Sequence, residues 1–195
     1  MSVGDHRNTA DVEEMWSHYV SAHGDSIDCA VANAGINRPG AVGDNSPEEY
    51  DIVMDTNLKA AWMLFSKAAP VMKTQGYGQL VATNSVRAVR GAPMAGLYTA
   101  SKFGLKGLMQ CLRYECAPHN VKVGAVLPGG IATEWWLDQS RGGRAPLDDE
   151  GQAKLFPQFL TPEDLAEIMQ SGLIDQPKSS NTDEIVMSQL PPYEL

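Results

Sequence analysis

Short apolar runs alternate with helical patterns along most of this chain, and that alternation limits the folds open to it. Four runs are typical of buried strands, at residues 27–32, 79–84, 121–127 and 184–187. Helical patterns separate them, over 12–20, 47–73, 97–116 and from Thr161 onward. Strands that alternate with helices favour a parallel sheet with helices on both faces, so the sequence predicts an α/β fold.

Local signals mark where several of these elements begin and end. Gly24 ends the first helix, and the capping box Ser46-Pro47-Glu48-Glu49 begins the second pattern. That pattern continues beyond Met72, which is long enough to suggest two consecutive helices rather than one. Residues 129–160 have weak periodicity and contain Trp135-Trp136 and Arg141-Gly-Gly-Arg144. A long irregular segment of this kind is usually functional or mobile, and the two tryptophans are candidates for pocket lining, partner contact or simple packing.

Length and composition exclude several classes of protein. The 195 residues suit one domain, spanning 1–195, and a net charge of −9 without a basic face argues against nucleic-acid binding. The longest apolar run, 60–65, is too short for a bilayer, and the polar, acidic start of the chain is unlike a secretory signal. Three cysteines without C-x-x-C and four scattered histidines predict neither a disulfide framework nor a metal site. We expect a cytoplasmic protein that binds a small molecule.

Polar residues and turns follow three of the predicted strands directly. Asn33-Ala34-Gly35 follows the first, Ser85 the second and Pro128-Gly129 the third. Ligands of parallel sheets bind beyond the carboxyl ends of the strands, so these residues are the candidate site. Tyr98 and Lys102 lie four residues apart in the helix after Ser85, so their side chains share one face.

The ordered set of motifs resembles the short-chain dehydrogenase/reductase family from about Asp5 to the end of the chain. The matching stretches are VANAG (31–35), TNL around Asn57, NS (84–85), YTASK (98–102) and LPGGIAT (127–133). The spacing of thirteen residues from Ser85 to Tyr98 also matches that of the family. The resemblance implies a partial doubly wound, Rossmann-type sheet and an oxidoreductase that interconverts a secondary alcohol and a ketone. It assigns the catalytic roles to Asn57, Ser85, Tyr98 and Lys102.

The same resemblance implies NAD or NADP as cofactor, and the sequence does not distinguish between them. It places Asp5 near the adenine. Asp11 could be matched to the same family position, but its sequence separation from Asn33 fits the family less well than that of Asp5. The cofactor-binding residues that it implies are Asp5, Asn33, Ala34, Gly35, Tyr98, Lys102, Pro128, Gly129, Ile131 and Thr133, with Ile131 and Thr133 at the nicotinamide carboxamide.

The chemistry of these residue types is consistent with that activity. Ketone reduction needs a hydride, which no side chain provides and a nicotinamide does. It also needs a proton, which the Tyr98 phenol can give, but a reference pKa of about 10 is high for a base at neutral pH. The nearby Lys102 ammonium is expected to lower the pKa of Tyr98. Ser85 is expected to polarise the substrate oxygen, and Asn57 to anchor a water that passes protons from solvent.

Each assignment has a structural alternative. Tyr98 and Lys102 could form only a surface pair, Ser85 could only cap a strand end, and Asn57 could be a helix amide without a chemical role. The strand-end motifs could be ordinary turns. Two other functions stay open: a non-catalytic relative that acts as a binding or oligomerisation partner, and an enzyme with non-redox acid/base chemistry that uses Tyr98.

One feature of the family is missing from the 195 residues: no G-x-x-x-G-x-G or G-x-G-x-x-G occurs. The expectation is an N-terminally truncated family domain with an open edge on its first strand and cofactor affinity below the family's usual range. The helices predicted over 47–73 and 97–116 are apolar over more of their circumference than a sheet covers. The sequence therefore also predicts a homo-oligomer formed through them.

Overall fold

Four short, largely apolar segments form one parallel sheet, as the alternating pattern predicts. The computed structural model describes residues 4–24, 26–138 and 149–188. The strands are β1 (Cys29–Ala32), β2 (Gly78–Thr83), β3 (Val121–Pro128) and β4 (Glu184–Met187). Their spatial order is β1-β2-β3-β4, and all three pairings are parallel. The α/β fold class is confirmed.

The register of the strands brings their carboxyl ends to one edge of the sheet. Ala32 pairs with Ala82, Thr83 pairs with Val126, and Pro128 pairs with Met187. The segments that follow β1, β2 and β3 therefore start from the same edge, which is where the sequence predicts the site.

Six α-helices connect and cover the strands within the described residues. They are α1 (Thr9–His23), α2 (Pro47–Met54), α3 (Ala60–Gln75), α4 (Gly96–Cys116), α5 (Asp149–Leu155) and α6 (Pro162–Met169). Asn8 caps α1 and Gly24 ends it, while the predicted capping box at Ser46 is present with both of its hydrogen bonds. The described residues include no helix that is long and apolar enough to cross a membrane.

The prediction of two consecutive helices after Pro47 is confirmed, and the structure adds how they are joined. α2 and α3 are continuous through a π-helical turn, Asp55–Lys59, so the backbone stays helical from Pro47 to Gln75. A π-turn inserts one residue into the helical repeat and shifts the phase of the apolar pattern. The length of the pattern suggested two helices, and the π-turn is the junction between them.

The irregular segment 129–160 holds more structure than its pattern indicates. It contains a short 3₁₀ turn at Glu134–Trp136 and the helix α5. Residues 139–148, with Arg141 and Arg144, lie outside the described residues.

Hydrophobic side chains pack on both faces of the sheet. On one face, Leu80 and Ala82 of β2 pack with Phe65 of α3 and Leu105 of α4. On the other face, Val81 and Val126 pack with Leu173 and with partly buried residues of α6. Because α3 and α4 cover one face and α6 the other, helices lie on both sides as predicted.

Candidate active site

Ser85 and Tyr98 meet beyond the carboxyl end of β2. Ser85 directly follows the strand and caps a 3₁₀ turn, Val86–Ala88, by accepting a hydrogen bond from the backbone N–H of Arg87 at 3.1 Å. Ser85 also lies near the Tyr98 phenol, at the start of α4, and acts to lower the pKa of that group. Ser85 is thus a cap, as one alternative holds, and it is also a neighbour of the phenol.

Lys102 lies behind the Tyr98 ring and is only 2% exposed. Its Nζ lies 5.6 Å from the centroid of the ring and donates a hydrogen bond to the carbonyl oxygen of Thr83 at 2.9 Å. The prediction that Tyr98 and Lys102 share one face of the helix is confirmed. The alternative that they form only a surface pair is wrong, because Lys102 is buried. Burial lowers the pKa of Lys102 from 10.5 to about 8, because desolvation disfavours the ammonium.

The expected effect of Lys102 on the pKa of Tyr98 is wrong. The pKa of the Tyr98 phenol is raised, because burial disfavours the phenolate more than its neighbours favour it. Ser85 and the positive charge of Arg87 both act in the opposite direction but do not outweigh burial. Lys102 Nζ stands over the ring, so its charge acts through the aromatic face.

Asn57 lies inside the π-turn, is 1% exposed, and is fully engaged with the protein. Its Oδ1 accepts from the backbone N–H of Ile36 at 2.8 Å, and its Nδ2 donates to the carbonyl oxygen of Ile36 at 2.9 Å. The second Nδ2 hydrogen goes to Ser101 Oγ at 2.9 Å. Both amide hydrogens are therefore used, and a water anchored by this side chain would bind only at the remaining lone pair of Oδ1.

Asn33, Ala34 and Gly35 follow β1, and the last of them passes beside the buried lysine. Asn33 Oδ1 accepts a hydrogen bond from Thr83 Oγ1 at 2.8 Å. A Cβ atom added to Gly35 would lie 3.6 Å from Lys102 Nζ and 3.7 Å from Asn57 Oδ1. The loop after β1 thus borders Lys102 and Asn57, as the positions of these residues after neighbouring strands predict.

The residues after β3 form a second wall of the site. The backbone N–H of Gly129 donates to Met187 at 2.8 Å, and Pro128 ends β3 in a buried position. Ile131 forms an isolated bridge with Leu160, and Thr133 lines a pocket of about 540 Å³ together with Trp135. The Trp135 ring lies 6.4 Å from the Tyr98 ring, centroid to centroid, which brings this segment next to the phenol.

Asp5 is engaged locally, at the start of the described chain. Its carboxylate accepts hydrogen bonds from the Arg7 side chain, including Nε to Oδ1 at 2.9 Å, and Arg7 holds the pKa of Asp5 well below its usual range. The backbone N–H of Asp5 donates to Asp11 Oδ2 at 2.7 Å. Asp5 and Asp11, the two candidates for the position near the adenine, are therefore neighbours in the structure. Their role toward an adenine stays a prediction.

Sequence reasoning missed four contributors to this site. Thr83 positions Lys102 through its carbonyl, Ser101 bonds Asn57, Arg87 places a positive charge near the phenol, and Asn84 is buried with neither amide atom hydrogen-bonded. Ser101 and Asn84 lie inside the motifs YTASK (98–102) and NS (84–85). Their position next to Lys102 and Ser85 in these motifs was the only feature of the sequence that could have pointed to them. The contribution of Thr83 comes from its backbone carbonyl, which no residue pattern reveals.

A parallel sheet with a Ser-Tyr-Lys group at its carboxyl edge is matched by known proteins. A family model described as short chain dehydrogenase matches residues 1–142. Sepiapterin reductase of Chlorobaculum tepidum is 34% identical over 186 residues, which are 95% of this chain and 70% of that protein. 3-Oxoacyl-[acyl-carrier-protein] reductase FabG of Rickettsia bellii is 37% identical over 110 residues, or 56% and 46% of the two chains. The chain belongs to the short-chain dehydrogenase family.

Solved structures agree with this assignment. An alcohol dehydrogenase from Thermococcus sibiricus, complexed with 5-hydroxy-NADP, superimposes with a TM-score of 0.79 over 98% of this chain and 74% of its own, at 24% identity, which shows the shared fold. A metagenomic short-chain oxidoreductase in complex with NADP has a TM-score of 0.74 and 26% identity over 95% of this chain and 72% of its own. This chain spans 70% of the sepiapterin reductase and about half of several other curated relatives.

Proposed function

We propose that this protein is an NAD(P)-dependent oxidoreductase that interconverts a secondary alcohol and a ketone on a small molecule. One observation carries the proposal: Lys102 is buried with its Nζ 5.6 Å from the centroid of the Tyr98 ring, and Ser85 lies near enough to that phenol to act against the rise in its pKa. A phenol, a hydroxyl and an ammonium in this arrangement provide a proton, a hydrogen bond to the substrate oxygen and donors for the hydroxyls of a cofactor.

The residues at the carboxyl edge of the sheet fit a dinucleotide. The Lys102 ammonium has three hydrogens, and the carbonyl of Thr83 accepts one of them, so it has donors for ribose hydroxyls. The absence of a side chain at Gly35 keeps the space beside Lys102 Nζ open. We assign the ribose and nicotinamide to Asn33, Ala34, Gly35, Tyr98, Lys102, Pro128, Gly129, Ile131 and Thr133, and the adenine to Asp5. When bound, the nicotinamide supplies or accepts the hydride.

The chain's own residues manage the proton and the developing charge. Ser85 donates a hydrogen bond to the substrate oxygen, where negative charge accumulates during reduction. Tyr98 Oη gives its proton to that oxygen, and the positive charge of Arg87 favours the phenolate that remains. In the direction of oxidation the phenolate takes the alcohol proton. Asn57 acts by holding the loop at Ile36 and the helix at Ser101 in place around Lys102.

Turnover with both reduced cofactors tests the proposal. The purified chain is assayed with NADH and with NADPH against a panel of small ketones, beside Tyr98→Phe and the exposed control Tyr114→Phe. We expect consumption of one cofactor and formation of the alcohol by wild type and the control only. Cofactor binding without turnover of any ketone would favour a binding partner, and substrate conversion without cofactor consumption would favour non-redox acid/base chemistry.

We also propose that two copies associate through the helices within 47–73 and 97–116. An apolar groove of about 450 Å³ runs between the π-turn and α4, and its lining includes Leu58, Trp62 and Leu108. Trp62 is 53% exposed, which is high for the largest apolar side chain. Gly104 lets the helices approach closely there, because a Cβ atom would lie 2.9 Å from Leu58 Cδ2. A second copy of the same surface would remove Trp62 from water.

A further inference from the structure

Arg87 lies two residues after Ser85, in the 3₁₀ turn Val86–Ala88 that follows β2. Its backbone N–H donates to Ser85 Oγ at 3.1 Å, so its position is fixed relative to the hydroxyl that we propose binds the substrate oxygen. Its two neighbours in the turn, Val86 and Ala88, are buried, whereas Arg87 is half-buried. The turn therefore presents the arginine side chain at the carboxyl edge of the sheet.

The guanidinium of Arg87 reaches a segment that lies beside the first turns of α4. Its Nη1 donates to the carbonyl oxygen of Gly91 at 3.4 Å. Gly91 borders α4, since a Cβ atom added to it would lie 4.0 Å from Thr99 Cγ2, and Thr99 is the residue after Tyr98. The 3₁₀ turn itself also packs against α4. These contacts bring the guanidinium, the Ser85 hydroxyl and the Tyr98 phenol into one neighbourhood.

The charges around the phenol differ from one side of the site to the other. Burial raises the pKa of Tyr98, and the positive charge of Arg87 is one of the influences that act against this rise. The segment after β3 carries a negative charge instead, on Glu134, which precedes Trp135. The Trp135 ring lies 6.4 Å from the Tyr98 ring, centroid to centroid. An anionic group on the substrate is therefore attracted toward Arg87 and repelled from Glu134.

We infer that Arg87 forms an anion subsite beside the reacting carbonyl and selects ketone substrates that bear a carboxylate. The inference rests on the proposed oxidoreductase function and adds to it the class of substrate. A guanidinium presents its N–H donors in a planar fork that matches the two oxygens of a carboxylate, and it stays charged throughout the neutral pH range. Its single positive charge balances one carboxylate, whereas a phosphate monoester carries nearly two negative charges.

The subsite determines how the substrate lies in the site. Ser85 binds the ketone oxygen, Tyr98 gives it a proton, and Arg87 holds the carboxylate. Arg87 has a second effect on the reaction, because its charge also acts on the pKa of Tyr98. That effect is the same for every substrate, so it cancels in a comparison of two substrates that differ mainly in charge.

Two keto acids and their methyl esters provide this comparison. 3-Oxobutanoate and 4-oxopentanoate place the carboxylate at different distances from the ketone, and each ester removes the charge. The readout is the acid-to-ester ratio of kcat/KM for reduction, and the intrinsic reactivity cancels when the ratio of a variant is divided by that of wild type. Arg87→Gln removes the charge and Arg87→Lys keeps it. Arg90→Gln is the matched control, since Arg90 is exposed, lies three residues farther along and loses the same unit of charge.

We expect Arg87→Gln to lower the acid-to-ester ratio at least about tenfold for the better of the two acids, Arg87→Lys to keep part of it, and Arg90→Gln to keep the wild-type ratio. An unchanged ratio in Arg87→Gln would overturn the inference. An equal loss in Arg90→Gln would also overturn it, because the attraction would then come from overall charge and not from a subsite.

The same comparison works as a binding measurement if wild type reduces none of the four compounds. Ligand-observed NMR then compares the corresponding hydroxy acids with their methyl esters, in wild type and in Arg87→Gln. Binding that favours the acid and is lost in Arg87→Gln would uphold the inference while the proposed function fails. Equal binding of acid and ester, or binding of neither, would overturn the inference.

Discussion

The side-chain amide of Asn57 donates to the hydroxyl oxygen of Ser101 at 2.9 Å, across 44 residues of sequence. The Ser101 hydroxyl in turn donates to the carbonyl oxygen of Tyr98 at 2.8 Å. This pair ties the π-turn between α2 and α3 to the first turns of α4, which carry Tyr98 and Lys102. Because the same amide also binds Ile36, one buried asparagine connects the loop after β1 with α4.

Ser101→Ala is expected to destabilise the protein by about 1–3 kcal/mol, because it leaves an Asn57 amide hydrogen buried without a partner. Urea unfolding monitored by circular dichroism measures the loss. Ser66→Ala is the matched control, since Ser66 is exposed and makes one hydrogen bond within α3. Equal effects of the two substitutions would contradict the role given to the Asn57–Ser101 contact.

Tyr98→Phe is expected to reduce turnover at least about a hundredfold while the fold stays intact, because only one hydroxyl is removed. Steady-state rates and the urea midpoint are measured on the same preparation. Tyr114→Phe serves as the control, since Tyr114 is 81% exposed at the far end of α4. Turnover that survives in Tyr98→Phe would show that another group transfers the proton.

The stability of wild type is expected to rise between pH 8 and 10.5 relative to Lys102→Met. The pKa of Lys102 falls from 10.5 to about 8 on folding, so the unfolded chain binds more protons than the native protein in this window. Stability then increases with pH, by up to roughly 3 kcal/mol, and the full cost of the buried charge is present below pH 8. Urea unfolding of both proteins from pH 7 to 10 measures the difference, and parallel curves would contradict the burial of a charged lysine.

Arg87→Gln is expected to move the pH profile of alcohol oxidation to higher pH. Oxidation needs the Tyr98 phenolate, so its rate rises with pH through the pKa of that group. The positive charge of Arg87 lowers the pKa of Tyr98, and removing the charge raises it further above its ordinary value. The profile of kcat/KM for alcohol oxidation is the measurement. Arg87→Lys keeps a charge and should stay close to wild type; a shift of the same size in both variants would rule out the electrostatic explanation.

Trp62→Glu is expected to convert the proposed dimer to monomer, because it places a charge in the apolar groove beside Leu58 and Leu108. Light scattering at micromolar concentration gives the mass of each protein. Tyr77→Glu is the control, since Tyr77 is an exposed aromatic residue outside the two helical regions. A wild-type monomer, or a dimer in Trp62→Glu, would place association elsewhere or exclude it.

Local patterns predicted the elements of the fold well and one of its helices poorly. β4 has the predicted bounds, α1 ends at the predicted Gly24, and the capping box at Ser46 forms as expected. The π-turn at Asp55–Lys59 was not predictable, because its extra residue is stabilised by contacts of Asn57 with segments distant in sequence. α5 was missed since its seven residues are too few to show a clear period.

The sequence by itself determined the α/β class, the strand ends that carry the site and the common face of Tyr98 and Lys102. These follow from periodicity and spacing, which act over a few residues, and the grouping of this pair with Ser85 is implied by the family resemblance. Tertiary structure decided how those groups behave. Burial raises the pKa of Tyr98 and lowers that of Lys102, the carbonyl of Thr83 holds the ammonium, and Trp135 stands beside the phenol. Desolvation and contact depend on which distant segments pack together, and no local pattern contains that information.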